Sequence, residues 1–143
     1  MDQPTPSKVK HSYPITVQDS HLDMLGHVNH ANYLVLFETA RAEMIKGYGF
    51  GFLLDIKKTG ISPIVLEVTL KFRRELRLGQ LVSIETEVIS YSKRLAIIVQ
   101  EIKDTEGTRC CSARFKFGLF DLKRRKLIPP SPDWIKALGL TLP

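Results

Sequence analysis

The sequence lacks the features that would mark it as a membrane, secreted or disordered protein. No stretch approaches the roughly 18 uninterrupted apolar residues of a membrane-spanning helix, and there is no low-complexity tract. The only two cysteines, Cys110 and Cys111, are neighbours, and neighbours on a strand point to opposite faces, so we expect no disulfide between them. Residues 1–10 contain no apolar segment typical of a signal peptide. We therefore expect a cytoplasmic protein that does not span a membrane.

The composition predicts one folded domain. The chain has 143 residues, of which 43% are hydrophobic and 25% are charged, an ordinary mixture for a globular protein of single-domain size. We assign residues 1–143 to a single domain, with a flexible N-terminus over about 1–9 and a Pro-rich link and short helix over 129–143. The formal net charge of +6 favours anionic partners but does not identify them.

Hydrophobic periodicity predicts a strand followed by one long helix. Apolar and polar residues alternate from His11 to Gln18, as in a half-buried strand. From Ala31 to about Gly47 the apolar residues follow the i, i+3, i+4 spacing of a helix, which the glycines of GYGFG end. The stretch 52–60 is ambiguous and allows one further helical turn.

The remainder of the chain predicts four consecutive strands that form one antiparallel sheet. On the first of them, one face is expected to carry Ile64, Leu66, Val68, Leu70 and Phe72. A helix of 17 residues, about 25 Å long, must bury its apolar stripe against this sheet, which predicts an α+β fold with the sheet wrapped around the helix. One sheet face and the edge strands stay uncovered, which favours a homodimer or homotetramer.

The stretch DMLGHVNHANY, residues 23–33, collects hydrogen-bonding side chains at the start of the helix. Helix capping at Asn29 or His30, a turn at Gly26 and an Asx turn at Asp23 each explain one residue structurally. Together they place a carboxylate beside the free N–H groups of a helix start, which is what an acyl-transfer site needs. A metal site is the competing hypothesis, with possible ligands Asp19, His21, Asp23, His27 and His30. It ranks lower, because no HExxH spacing is present and no cysteine accompanies these residues.

The segment DMLGHVNHANYLVLFETARAEM closely resembles the signature of the hot-dog-fold acyl-CoA thioesterases of the 4-hydroxybenzoyl-CoA thioesterase-like family. The resemblance extends over about residues 10–122 and includes the order of strands and helix. It implies an antiparallel sheet around one long central helix, thioester hydrolysis without a cofactor or a metal, and an acyl-CoA substrate. The motif is specific for the family and much less specific for the substrate.

The resemblance also implies roles for individual residues. Asp23 becomes the catalytic carboxylate, as nucleophile toward the thioester or as general base for water. The N–H groups near His30 and Ala31 polarise the thioester oxygen, and Gly26 lets the thioester approach the backbone. Substrate-binding roles near this site are assigned to His27, Asn29 and Tyr33.

Two further sets of residues are candidates. Glu38 and Arg41, three apart on the helix, are explained simply by an intrahelical ion pair, but Glu38 is also the second candidate for catalytic acid–base work. CoA carries phosphates, and its basic contacts are expected to be Arg73, Arg74, Lys93 and Arg94. The run from Lys123 to Lys126 is expected to be solvated.

Other functions stay open alongside acyl-CoA hydrolysis. Hydrolysis of acyl-carrier-protein thioesters is the alternative enzyme, since carrier proteins are acidic and a basic rim suits them. A binding protein that holds an acyl group without cleaving it has no need for Asp23. Nucleic-acid binding is not expected, because the basic residues lack interleaved aromatic residues on which bases stack.

Overall fold

The computed structural model of the protein describes residues 10–49 and 52–141, with side chains for all of these except residues 52–55. The N-terminus predicted to be flexible, residues 1–9, lies outside this part of the chain. The elements are β1 (His11–Thr16), α1 (His30–Gly47), α2 (Phe52–Thr59), β2 (Ile61–Phe72), β3 (Leu81–Ser92), β4 (Leu95–Asp104), β5 (Arg109–Asp121), β6 (Lys126–Ile128) and α3 (Pro132–Ala137). Within the described ranges, none of the helices has the length and apolarity needed to cross a membrane.

One antiparallel sheet holds all the strands and curls around α1. Its order is β1-β3-β4-β5-β2, and β6 adds to β5 beyond the end of β4. The strand, long helix and four strands predicted from periodicity are therefore confirmed. The predicted short helix near the C-terminus is α3, which packs against α1.

Helix α1 forms where the apolar spacing predicts it and begins one residue earlier, at His30. Its apolar side is buried against the sheet, and Leu36, Phe37 and Ala40 are completely inaccessible to solvent. The rings of Phe37 and Phe115 meet edge to face with centroids 5.9 Å apart, a favourable aromatic geometry. This packing sets the position of the helix start relative to the sheet.

The stretch 52–60, which is ambiguous in sequence and allows one further helical turn, forms the eight-residue helix α2. The predicted apolar face of β2 is wrong at its start. In β2 the register against β5 shifts by one residue between Val65 and Glu67, so the predicted alternation breaks at this bulge. Val65 pairs with Phe117 and Val68 with Phe115, which places both valines, rather than Ile64 and Leu66, on the face toward α1.

The sheet face away from α1 is charged. Ion pairs cross it between neighbouring strands: Lys103 with Glu85 (3.2 Å), Arg109 with Glu101 (3.0 Å) and Lys116 with Glu67 (3.3 Å). A surface of this kind is stable in water without a covering subunit. The expectation that an oligomer covers the open face stays a prediction. Exposed apolar side chains lie on the β2 edge and on α1, and others lie on the Asp23 turn, on β3 and in the segments between strands.

Phe37 tests this account of the core. Phe37→Ala removes a completely buried ring from between α1 and the sheet, and we expect the free energy of unfolding to fall by about 3–5 kcal/mol. Glu43→Ala, on the exposed side of the same helix, should change it by less than about 0.5 kcal/mol. Urea unfolding followed by circular dichroism measures both, and equal effects would contradict the assigned packing.

Candidate active site

The turn before α1 is a closed loop that presents Asp23. The backbone N–H of Asp23 donates to the His27 oxygen at 2.9 Å, and the N–H of Gly26 donates to the Asp23 oxygen at 3.1 Å. Gly26 has φ +78, a conformation that side-chain-bearing residues rarely adopt. Among the described residues other than its two chain neighbours, none lies within 4 Å of the position where a Cβ on Gly26 would lie, so this side of the turn is open.

The carboxylate of Asp23 is oriented by its own turn. Its Oδ1 accepts a hydrogen bond from the Leu25 N–H at 2.9 Å, which confirms the predicted Asx turn. Oδ2 has no hydrogen-bond partner within the described part of the chain. The turn therefore holds one oxygen of Asp23. Because Asp23 is only half-buried, the other oxygen is available to a substrate or a water molecule.

The start of α1 has one free N–H donor and one that is already used. Asn29 is the N-cap, as predicted, and its Oδ1 accepts from the Ala31 N–H at 2.9 Å. The His30 N–H has no acceptor among the residues that the structure describes. Of the two N–H groups expected to polarise a carbonyl, only that of His30 is therefore free in this structure.

A second carboxylate, Glu75, enters the site from the segment after β2. Its Oε2 lies 2.8 Å from His27 Nε2, and its Oε1 accepts from Arg77 Nη2 at 2.6 Å. The hydrogen bond from Arg77, with a smaller contribution from His27, lowers the pKa of the Glu75 carboxyl. The sequence contains no motif that points to Glu75, because the bridge between His27 and Arg77 that brings it here joins distant segments.

Tyr33 supports the site from inside. It is only 4% exposed, and its ring meets Phe72 edge to face with centroids 5.2 Å apart. Burial raises the pKa of the Tyr33 hydroxyl to about 12, so it stays protonated at neutral pH. The structure thus gives Tyr33 a packing role between α1 and β2, and its contact with substrate stays a prediction.

The four basic residues expected to bind CoA do not meet within one chain. Arg73 and Arg74 follow β2, where their N–H groups bond the Cys110 oxygen, and this is the end of the sheet that carries the Asp23 turn. Lys93 and Arg94 form the β3–β4 hairpin, beside the Ala96–Phe117 pair at the other end. Arg74 instead lines a groove of about 410 Å³ together with Glu75 and Arg77.

Glu38 and Arg41 line a different pocket, which the sequence did not reveal. It has a volume of about 510 Å³ and lies between α1, β2 and α3. No ion pair within the described residues joins Glu38 to Arg41, so the expected intrahelical pair is wrong. Arg41 instead turns inward, where its Nη1 donates to Gln100 Oε1 at 2.9 Å.

The competing metal hypothesis receives no geometric support. Among residues 10–49 and 52–141, no three histidine, cysteine, aspartate or glutamate side chains converge on a position that could hold an ion. Gln18 N–H donates to His21 Nδ1 at 3.0 Å, and His27 is held by Glu75. Both histidines therefore already have protein partners.

Comparisons with known proteins agree with this geometry. The family sequence model of the thioesterase-like superfamily matches residues 17–138 of this chain. The long-chain acyl-CoA thioesterase FadM of Escherichia coli is 28% identical over 116 residues, which are 80% of this chain and 86% of FadM.

Two solved structures show the same fold. A 1,4-dihydroxy-2-naphthoyl-CoA thioesterase from Synechocystis superposes with a TM-score of 0.85 at 16% identity, covering 92% of this chain and 96% of that one. A Staphylococcus aureus protein in complex with CoA superposes with a TM-score of 0.83 at 16% identity, covering 92% of this chain and 83% of that one. The predicted hot-dog fold is confirmed by these likenesses.

Asn29 tests the construction of the helix start. Asn29→Ala removes the acceptor of the Ala31 N–H, and we expect the free energy of unfolding to fall by about 0.5–2 kcal/mol. Asn29→Asp retains a capping oxygen and should preserve most of the stability. Thermal and urea unfolding measure both, and an unchanged Asn29→Ala protein would show that the cap is dispensable.

Proposed function

Because the chain belongs to the thioesterase-like superfamily, we propose that it hydrolyses acyl-CoA thioesters to a free acid and CoA at the Asp23 turn. The observation that carries this proposal is the free His30 N–H at the start of α1, next to the turn that holds Asp23 by Oδ1 alone. The acyl-CoA thioesterase FadM among its relatives supports the same reaction.

The helix start stabilises the charge that develops on the thioester oxygen. Attack on the carbonyl carbon turns this oxygen into an oxyanion, and the His30 N–H lies at the positive end of the α1 dipole. Removing one such donor commonly costs about 100- to 1,000-fold in rate. Because Asn29 holds the Ala31 N–H, His30 is the principal backbone donor of this site.

Asp23 supplies the other half of the chemistry by one of two routes. Its free oxygen either attacks the carbonyl carbon and expels the CoA thiolate, leaving a mixed anhydride that water hydrolyses to the free acid, or takes a proton from a water molecule that attacks the carbonyl carbon itself. Both routes need a carboxylate oxygen that is free to react. In Asp23 the Leu25 N–H binds Oδ1 and orients the group, and Oδ2 is free within the described residues. His27, tied to Glu75, keeps the turn aligned with the segment after β2.

A second copy of the chain completes the active enzyme. Strand β2 is the last strand of the sheet, and its side toward α1 leaves Val65, Val68 and Phe72 45%, 36% and 54% exposed. Val35 on α1 is 50% exposed. An open edge of 12 residues with apolar side chains is an interface rather than a solvated surface. We assign this edge to a homodimer formed through antiparallel pairing of β2 with its copy.

This pairing brings separated parts of the sequence together. In an antiparallel pair the start of one strand lies beside the end of the other, so Val65 of one copy faces the region of Phe72 and Tyr33 of the second. Lys93 and Arg94 of one copy then reach the end of the sheet that carries Arg73 and Arg74 of the other. The basic residues predicted to bind the CoA phosphates form one rim only in this dimer.

An acidic carrier protein is the second candidate for the group that delivers the acyl chain. Exposed basic residues gather at the Lys93 end of the sheet, where the side chain of Lys123 packs over Gly60, with its Cε 3.7 Å from the point where a Cβ on that glycine would lie. This basic end consists of Lys57, Lys58, Lys93, Arg94, Lys123, Arg124, Arg125 and Lys126. A surface of this size and sign suits an acidic protein as well as the phosphates of CoA.

Asp23→Asn is the direct test of the reaction. We expect kcat to fall by about 100- to 10,000-fold, because the amide can neither attack the carbonyl nor accept a proton. Asp19→Asn, an exposed acidic residue outside the turn, should retain wild-type turnover. Release of free CoA from short, long and aromatic acyl-CoAs measures both variants.

The two failures of this test differ. If the wild type cleaves no acyl-CoA but cleaves acyl carrier protein thioesters, the carrier-protein alternative replaces the proposal. If Asp23→Asn turns over at the wild-type rate, the protein is a thioesterase but Asp23 is not its catalytic carboxylate.

Val35→Glu tests the homodimer. The new charge lies on the exposed side of α1 that the second copy covers, so we expect monomers where the wild type forms dimers. Ile89→Glu places the same charge on an apolar residue that is 41% exposed on β3, away from the β2 edge, and should leave the dimer intact. Sedimentation velocity distinguishes the two outcomes, and a monomeric wild type would overturn the assignment.

A further inference from the structure

The pocket between α1, β2 and α3 combines an apolar wall with two opposite charges. Its apolar lining is formed by Ala42, Ile45, Pro63, Val65, Phe117 and Trp134, and Glu38 and Arg41 supply the charges. Its volume of about 510 Å³ lies in the range of about 300–1,000 Å³ typical of small-molecule sites. Most of the lining suits a hydrocarbon, so the charged pair calls for a separate explanation.

Arg41 is held in a fixed orientation by a buried network. Gln100 Nε2 donates to the Phe37 oxygen at 3.0 Å and to Thr86 Oγ1 at 2.9 Å, so its Oε1 must face Arg41. The guanidinium carbon also lies 4.2 Å from the centroid of the Phe115 ring. Gln100 and Thr86 are each 1% exposed, which makes this arrangement rigid.

Most of the hydrogen-bonding capacity of Arg41 remains available to the pocket. A guanidinium carries five N–H donors, and within the described residues only one of them, on Nη1, has an acceptor. Arg41 is nevertheless only 8% exposed. The nitrogens that carry the remaining donors are not among the fully buried atoms without a partner, so they reach water in the pocket. A chain that displaces this water binds better when it replaces the lost hydrogen bond with an acceptor of its own.

Glu38 decides which kind of acceptor fits. Burial lowers the pKa of Arg41 to about 10, and the charge of Glu38 opposes that shift, so Arg41 stays protonated at neutral pH. Glu38 therefore already balances the charge of Arg41 across the pocket. A second carboxylate entering with the substrate would be desolvated without a free counter-charge, whereas a neutral oxygen gains the hydrogen bond without that cost.

We infer that this pocket receives the acyl group of the substrate and selects acyl groups that carry a neutral oxygen, a hydroxyl or carbonyl, in their distal part. The inference rests on the proposed thioesterase function and names its substrate class. In the proposed β2-paired homodimer, Val65, which lines this pocket, faces the region of Tyr33 in the other copy, so the pocket opens toward the helix start that holds the thioester.

A matched series of eight-carbon thioesters tests the selection. The series is octanoyl-CoA, 8-hydroxyoctanoyl-CoA and the mono-CoA thioester of the eight-carbon dicarboxylic acid, with acetyl-CoA as the substrate too short to reach the pocket. We expect kcat/KM for the hydroxylated chain to exceed that for octanoyl by about 10- to 100-fold. The dicarboxylic thioester should be hydrolysed more slowly than the hydroxylated one.

Three variants assign the preference to particular residues. Arg41→Met should remove the difference between hydroxylated and plain octanoyl chains while acetyl-CoA hydrolysis is kept. Glu38→Gln should raise kcat/KM for the dicarboxylic thioester, because the balancing charge is gone. Ala42→Phe fills the pocket from an exposed position and should lower kcat/KM for all three eight-carbon substrates but not for acetyl-CoA. Glu43→Phe, outside the pocket, is its control.

The outcomes separate this inference from the proposed function. If no thioester is hydrolysed, the proposed function fails. If all are hydrolysed with no preference for the hydroxylated chain, the selection by Arg41 is overturned and the thioesterase stands. If Ala42→Phe and Glu43→Phe behave alike, the acyl group does not enter this pocket. Should Arg41→Met not fold, the substrate series and the Ala42→Phe comparison still decide.

Discussion

The burial of α1 against the curled sheet is the packing on which the rest of the structure depends. Seven side chains of this helix are buried, and the large apolar ones among them each contribute about 1.5–3 kcal/mol on burial. The helix cannot slide without exposing them. Its first residue is therefore held beside the Asp23 turn, which is where the positive end of the helix dipole is useful for chemistry.

The same packing buries a charge. Arg41 lies on the inner side of α1, and the structure stabilises it with an aromatic ring, an amide oxygen and the nearby charge of Glu38. The charge pattern of the sequence predicts an ion pair between Arg41 and Glu38, whereas in the structure Arg41 forms part of the pocket wall. The two ends of α1 differ in this structure: the first turn has a free N–H donor, and the later turns line the pocket to which we assign the acyl group.

Much of the fold and the turn could be predicted from residue patterns, because both depend on local order. The alternation of apolar residues predicts β1 and the inward face of β5, and the Asx turn and the N-cap follow from Asp23 and Asn29. The bulge at Val65 escaped prediction, because an extra residue in one strand leaves no mark on composition. Glu75 escaped for a similar reason, since its contact with His27 joins segments about 50 residues apart.

The sequence by itself determined the order of the main elements, the family and the turn that holds Asp23, since these are carried by neighbouring residues. Only the tertiary structure decided which donors and pockets exist. It showed that Asn29 occupies the Ala31 N–H, that Arg73 and Lys93 lie at opposite ends of the sheet, and that Arg41 faces inward to Gln100. The cap is a local contact whose presence only the coordinates reveal, whereas the placement of Arg73 and Lys93 and the Arg41–Gln100 bond depend on how helix and sheet pack.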